Sequence, residues 1–430
     1  MKKKGIPIKK IWLLLLLFIA FDITTTAFAD QTITMKQCIE HAVSEYPLSL
    51  ESTTNAQAYQ MAYKSKFAGL LPSFNLSAAY GKAYGYDVAV TNGGIASLQA
   101  IAQVDLFNPT RWFESSLSKM SYEAQKYYQH ATENEIAYAV KSAYTEALFY
   151  NQEIMILHEN IHNLGVYLSL AKRLLASGLV TENDVLRTQI ELDAAQANLQ
   201  NSILNKHAQL NILTSLTGIP MTDGVNLKKR SATFTAPANV ERINTDTFSS
   251  NPTLQAIDYE ERAEKYRVQS AKSQYLPVLS LEADVGWLGE SFPAAVDQYR
   301  GYSYFATLNF PLFRWGEIGY NVEKASLLKN TIHYKKALFL NELTLSYHNT
   351  IGALQNAIER ITLYERDISI AKQNFDYSEA RYSGGGRIGS YEVLLDQQLL
   401  KNAQLALAIA QKDFYLALFK IQLLRGKIYE

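Results

Sequence analysis

The chain has 430 residues, 41 basic against 41 acidic side chains, 48% hydrophobic and 12% aromatic content, and a single cysteine, Cys38. One cysteine rules out an internal disulfide framework and any zinc or iron–sulfur site built on several thiolates. Formal neutrality denies the chain the broad basic surface that displaces counterions from nucleic acid, and its ordinary charge, Gly and Pro content excludes a collagen-like or disordered chain.

The N-terminus reads as an export signal. Lys2, Lys3, Lys4, Lys9 and Lys10 precede an apolar run from Ile11 to Phe21, and Ala27-Phe28-Ala29 has the small-residue pattern of a cleavage site. The run is about half the roughly 20 residues of a spanning helix, so residues 1–29 are expected to be removed rather than to anchor the chain. The remainder carries 36 basic and 40 acidic residues, a net −4. Met35-Lys36-Gln37 before Cys38 lacks the small apolar residues of a lipid-modified cysteine, and Cys38 is assigned no role. No later stretch approaches 18 uninterrupted apolar residues, so any membrane crossing falls to strands.

Residues 30–221 form a first structural repeat. After Pro47, a helix is expected to stop near Leu71, because Pro72 has no N–H and disfavours helix in the residue before it. Two strands follow. Phe74, Leu76, Ala78 and Tyr80 share one face, and Leu98, Ala100, Ala102, Val104 and Leu106 resume the alternation after a turn containing Asn92-Gly93-Gly94. Thr110 to Leu164 and Leu179 to Thr217 contain neither Gly nor Pro, which predicts two helices far longer than the usual globular length. Gly178 marks the turn between them. Thr181-Glu182-Asn183-Asp184 fits a capping box, with Thr181 as N-cap and Asp184 in the first turn.

Residues 222–245 read as a polar linker, and 246–430 repeat the pattern. Leu71-Pro72 recurs as Leu276-Pro277 and Gly81 as Gly286, both at an offset of 205. Arg173, Gly178, Val185, Leu186, Gln189 and Leu192 recur at an offset of 208 as Arg381, Gly386, Val393, Leu394, Gln397 and Leu400. The chain is thus a tandem duplication. Its second pair of strands carries Leu279, Leu281, Ala283 and Val285, then Tyr302, Tyr304, Ala306, Leu308 and Phe310. The strand runs have transmembrane length, and Tyr80, Tyr84, Tyr86, Trp287, Phe292, Tyr299 and Tyr302 gather near their turns like an interfacial girdle. In the last helix Leu400, Leu407, Phe414 and Ile421 repeat every seven residues, with Ala403, Ala410, Ala417 and Leu424 three positions later: a coiled-coil seam. The first half keeps Val185, Leu192, Leu199 and Leu213 in the equivalent positions but places Lys206 among them, where its head must reach solvent. Four strands cannot close a lipid-excluding barrel alone, so several chains must contribute.

In duplication, order and spacing the chain resembles the TolC family of outer-membrane efflux and secretion channels. The resemblance covers nearly all of the mature sequence. It is carried by Asn251-Pro252 with Pro47, the two Leu-Pro junctions, Pro311-Leu312-Phe313, and the hairpin segments running from Gly178 to Leu186 and from Gly386 to Leu394. It implies a mainly α fold with a small membrane β-region: long helices forming an α-helical tunnel, and four strands per chain joining a trimeric, 12-stranded barrel. It also implies a homotrimer in the outer membrane of a Gram-negative bacterium. A periplasmic adaptor and an inner-membrane pump, of the resistance-nodulation-division or ABC type, would dock near hairpin tips at Gly178, Thr181, Gly386 and Ser390. The resemblance places the channel entrance at Asp184 and Glu392, with no cofactor, and drug efflux and type I protein secretion both fit it. Leu395 stands where some members carry a second acid, and Gly384-Gly385-Gly386 make a glycine-rich turn.

One enzyme-like pattern competes. His158-Glu159-Asn160-Ile161-His162 matches the H-E-x-x-H arrangement of zinc peptidases, two histidines one helical turn apart with a general-base Glu. Gly165 sits where the extended form wants glycine, but Leu168 occupies the place of the third histidine and the other half holds no counterpart. These histidines are expected to be solvent-facing helix residues.

Overall fold

A computed structural model describes residues 32–83, 93–221, 226–228, 234, 247–289, 300–383 and 390–429. The expected signal peptide, most of the expected linker, and Tyr84, Tyr86, Phe292 and Tyr299 of the expected girdle lie outside them. The elements are β1 (Thr32–Ile33), α1 (Met35–Glu45), α2 (Pro47–Ala68), β2 (Ser73–Ala83), β3 (Gly93–Phe107), α3 (Pro109–Ala176), α4 (Glu182–Thr217), β4 (Asn226–Leu227), α5 (Pro252–Ser273), β5 (Val278–Gly289), β6 (Arg300–Asn309), α6 (Glu317–Ser383) and α7 (Ser390–Leu424). From Pro47 and from Pro252 the two halves run in the same order. Their helices have 22 and 22, 68 and 67, and 36 and 35 residues.

The prolines act as punctuation at both ends of the short helices. Pro47 and Pro252 each occupy a first helical position, where no N–H is needed. The Asn251 side chain caps α5 by accepting from the Leu254 N–H at 3.0 Å, and its amide donates to the Leu424 carbonyl at 3.0 Å. At the other end α2 and α5 stop at Ala68 and Ser273, three residues before the expected Leu71 and Leu276. Tighter turns fill the gap: Leu71 N–H donates to Ala68 and Leu276 N–H to Ser273. Pro72 and Pro277 then hand over to strands at the next residue.

The first long helix extends beyond its Gly- and Pro-free run: α3 continues through Gly165 to Ala176. A helical glycine costs about 1 kcal/mol relative to alanine. Burial of Leu164, Tyr167, Leu168 and Ala171 around it outweighs that penalty.

The described residues divide into two compact units. One takes in residues up to Val43, Ala139–Thr235 and Asn356–Leu416; the other Ser44–Tyr138, Ala236–Gln355 and Ala417–Glu430. The second unit contains a four-stranded antiparallel sheet in the order β2-β3-β5-β6. Its register sorts side chains by chemistry. Phe74, Ala102, Ala283 and Tyr304 lie across from one another, as do Leu76, Ala100, Val285 and Tyr302. The opposite face carries Asn75, Ile101, Asp284 and Ser303 in one row, and Ser77, Gln99, Gly286 and Gly301 in another. Phe74 is 81% exposed and Tyr302 and Tyr304 are each 79% exposed, so the apolar face has no cover among the described residues. Glycine is required at 286: a Cβ there would collide with the Leu98 carbonyl and the Gln99 backbone of β3.

In the first unit, β1 pairs in parallel with β4, giving the expected linker a structural anchor that its polar composition did not announce. Tyr144, 1% exposed, points its hydroxyl at the carbonyls of Ile33 (2.9 Å) and Lys228 (3.1 Å), pinning both strands to α3. Burial pushes the Tyr144 phenol up to about 12 and the nearby Cys38 thiol up to about 11. The expected α7 seam is buried at Ala410, Phe414, Ala417, Ile421 and Leu424, while Leu400, Ala403 and Leu407 are half-buried. On α4 the expected positions Val185, Leu192 and Leu199 are only half-buried, whereas Leu213 is buried as expected. The buried line there is Thr188, Ala195 and Ser202, small side chains that permit closer helix approach.

Replacing Tyr144 by Phe should lower stability by about 1–2 kcal/mol, because the buried Ile33 carbonyl and the partly buried Lys228 carbonyl lose their donor. The folded phenol holds its proton above the ordinary tyrosine value, so its stabilising neutral form is complete below about pH 10 and is lost as pH rises through about 12. Thermal unfolding from pH 9 to 12 should therefore fall less steeply in Tyr144→Phe than in the parent; equal slopes would take Tyr144 out of the alkaline transition.

Candidate functional site

The hairpin between α3 and α4 is built by cap chemistry. At the end of α3 the Leu179 N–H returns to the Leu174 carbonyl and the Gly178 N–H to that of Leu175, both at 2.9 Å. This six-to-one pattern needs a left-handed residue, and Gly178 has φ +72°. On the far side of the turn the Asp184 carboxylate accepts from the Thr181 N–H at 2.9 Å and the Thr181 hydroxyl at 2.7 Å. A carboxylate there also faces the positive end of the helix dipole. The capping expectation holds, and it commits one oxygen of Asp184 to the backbone.

The second hairpin is partly described. Gly386 lies outside the described residues and Ser390 opens α7. Glu392 is exposed in the first turn of α7 and makes no hydrogen bond or ion pair among the described residues. The Arg187 guanidinium lies 5.7 Å from the Tyr391 ring centre, which sets the starts of α4 and α7 side by side. Asp184 and Glu392 thus belong to neighbouring first turns.

Beneath these turns is an aromatic cluster that the sequence reading missed. Tyr167, Phe375, Tyr382 and Val393 are all buried, with Leu170, Leu174 and Leu400 packed on them. The Tyr167 hydroxyl donates to Glu379 at 2.9 Å. Burial raises the Tyr167 phenol, and the Glu379 hydrogen bond and charge raise it further. Burial and then the Asp184 charge raise Tyr382, whose hydroxyl has no hydrogen-bond partner among the described residues. The seven-residue spacing of Phe375 and Tyr382 was the available signal. A polar pair lies in the same unit: Gln397 donates to the Asn160 side chain at 3.0 Å and to its carbonyl at 3.1 Å.

The enzyme-like pattern finds no such setting. His158, Glu159 and His162 are exposed on α3, and Leu168 is buried. Pro72 and Pro277 sit at the helix-to-strand junctions of the other unit, as expected.

Comparison with known proteins gives one family. The description "outer membrane efflux protein" belongs to the family model that matches residues 45–219 and 245–427. Alkaline protease secretion protein AprF of Pseudomonas aeruginosa is 24% identical over 304 residues, 69% of this chain; the chain spans 62% of AprF. Nodulation protein T of Rhizobium leguminosarum bv. trifolii is 20% identical over 400 residues, covering 91% of this chain and 83% of that protein. The crystal structure of the outer membrane protein VceC from Vibrio cholerae superposes with a TM-score of 0.81 at 20% identity, covering 92% of this chain and 96% of that one. At that identity the likeness is one of fold.

Loss of the cap should be local. Asp184→Ala is expected to remove about 1 kcal/mol and to speed amide hydrogen exchange over residues 182–186, and Thr181→Ala to do less, since the carboxylate still reaches the Thr181 position's N–H. Exchange unchanged in Asp184→Ala would mean that the carboxylate does not hold the start of α4.

Proposed function

Because the chain belongs to the outer membrane efflux protein family, an outer-membrane channel family with a tunnel into the periplasm, we propose that it works as a homotrimeric channel-tunnel that exports small molecules or proteins handed over by an inner-membrane pump and a periplasmic adaptor. The observation that carries this reading is the sheet: one face apolar and exposed, the other mostly polar, and β2 and β6 each with an edge that no strand among the described residues pairs. Hydrocarbon tolerates the first face and not the bare edges. Edge-to-edge addition of further copies satisfies those groups and turns the polar face inward, and three copies give 12 strands.

The helices support the same closure. Leu363, Ile370 and Tyr377 repeat every seven residues on α6 and are all exposed, as are Tyr320, Leu327 and Tyr334 nearer its start. Such repeats are seams without an occupant in the single chain. In the trimer, Asp184 and Glu392 would ring the periplasmic entrance and bias it toward cations. The hairpin tips at Gly178, Thr181, Gly386 and Ser390 would receive the adaptor. Glu392 is the stronger candidate, since Asp184 already caps α4.

A second reading, the outer-membrane component of a type I protein secretion system, is favoured by the likeness to a protein named for alkaline protease secretion. It differs in cargo, not in channel architecture.

Mass measurement in mild detergent should give three copies per particle; a stable monomer would sink both barrel and tunnel. In planar bilayers Asp184→Ala, Glu392→Ala should lower cation preference severalfold and weaken block by divalent cations, with the trimer intact. Unaltered selectivity alongside a lower melting temperature would return both carboxylates to helix capping alone.

A further inference from the structure

The outward face of β6 does not stop with the strand. Tyr302, Tyr304 and Leu308 continue as Phe310 and Leu312 in alternation, and Leu312 is 85% exposed. The next residues, Phe313, Arg314 and Trp315, are all exposed, Trp315 at 87%. The Phe313 and Trp315 rings meet edge to face with centres 4.8 Å apart. The Arg314 carbonyl accepts from the Glu317 N–H at 2.9 Å, closing a turn whose central residues, Trp315 and Gly316, have φ +48° and +83°. Positive φ at both centres is the mark of a type I′ turn, a conformation that suits Gly or Asn and strains a tryptophan. Trp315 is the one described non-glycine residue with positive φ. A large apolar ring is thus held outward, at a conformational cost, just past the end of a strand.

The duplicated junction in the first half makes the comparison. There Phe107 and Trp112 pack edge to face at 5.3 Å, and Arg111 is fully engaged: its guanidinium reaches Asp105 at 3.0 Å and the Gly69 carbonyl at 3.2 Å. The Arg314 side chain, in a similar aromatic setting, has no hydrogen bond, ion pair or ring contact among the described residues. One arginine braces its junction; among the described residues the guanidinium of the other has no partner beside two exposed rings.

We propose that Leu312-Phe313-Arg314-Trp315 is a lipid-headgroup site on the periplasmic side of the outer membrane, with Phe313 and Trp315 seated at the interface and Arg314 binding the phosphate of an anionic phospholipid. The chemistry favours this over protein. Aromatic side chains, tryptophan above all, concentrate at the membrane interface, and a guanidinium matches phosphate oxygens two at a time. The patch is continuous with the face of β6 that must already meet lipid, so no second surface is invoked. The inference rests on the membrane reading of the sheet.

The test uses the exported full chain in two forms, one keeping Trp315 and one keeping Trp287 as its membrane-region tryptophan, the others being changed to Phe. In vesicles of phosphatidylcholine brominated near the headgroup or near the chain ends, Trp315 emission should be quenched about twofold more by the shallow bromines. In detergent micelles doped with phosphatidylglycerol, Arg314→Gln should raise the phosphatidylglycerol needed for the half-maximal emission shift of Trp315 by about fivefold, with Arg314→Lys in between. Trp315 unquenched at either depth while Trp287 is quenched overturns the site and leaves the membrane sheet standing. If Trp287 also escapes quenching, the membrane reading itself fails. Loss of the assembled oligomer in Phe313→Ser or Trp315→Ser, with Trp315 unquenched in the parent, would reassign the patch to a neighbouring copy.

Discussion

An unpaired backbone amide or carbonyl in hydrocarbon costs several kcal/mol, and among the described residues β2 and β6 each present a row of such groups. Side chains cannot repair this. Phe74, Leu76, Tyr302 and Tyr304 on these two strands suit lipid, yet their own main chain does not until another strand lies alongside. The demand for edge partners therefore sets what the rest of the chain has to do. In the proposed trimer it requires strands held in register by β3 and β5, and helices that would bring the edges of several copies together in the same order each time. Exposed seven-residue repeats on α6 answer the last requirement with the geometry of coiled-coil packing.

Polar groups are placed where they limit freedom rather than where they add bulk stability. Asp105 accepts from Ser280 and Asn108 at 2.8 Å and pairs with Arg111, fixing the junction of β3 with α3. Near the hairpins the same economy holds: the Asp184 carboxylate orients the start of α4, and Gln397 bonded to Asn160 interrupts an otherwise apolar seam. A buried amide pair in a seam penalises any slip of one helix against the other, since slippage leaves both amides unpaired. The Tyr382 hydroxyl, beside the Asp184 charge, and the Gln397 Oε1 are counter-cases, buried atoms without a hydrogen-bond partner among the described residues.

Much of the fold was legible in the sequence because the signals were periodic. The strands declared themselves through alternation that the register reproduces row by row, and Pro72 and Pro277 marked the changes from helix to strand. What escaped depends on partners distant in sequence. Nothing near Asn226 says that it pairs with Thr32, and only the placement of Tyr144 makes that two-residue ladder worth forming. The Gly- and Pro-free run stopped at Leu164, and only the buried residues flanking Gly165 show why the helix runs through it. On α4 the expected line holds at Leu213 but not nearer the helix start, where the buried residues are Thr188, Ala195 and Ser202, whose small size and, for two of them, polarity gave no apolar signal. At the candidate entrance Asp184 was legible as a cap, whereas the aromatic cluster below it required α3, α6 and α7 to be brought together.

The two halves keep helix lengths within one residue of each other while few of their side chains coincide. Geometry explains why length outlasts identity. One residue inserted in a helix turns everything beyond it by about 100°, carrying a seven-residue seam off its partner for the rest of the helix. In a strand a one-residue slip exchanges the two faces, sending Asp284 and Ser303 to the lipid side and Val285 and Tyr302 inward. A substitution has no such reach. Side chains are therefore free to diverge at single positions, so that Thr181-Asp184 caps one hairpin while Glu392 is left exposed in the other, and Arg111 braces one junction while the Arg314 side chain has no partner among the described residues. Duplication of this kind yields two copies of a frame whose lengths are locked, and functional asymmetry enters through the residues that the frame does not need.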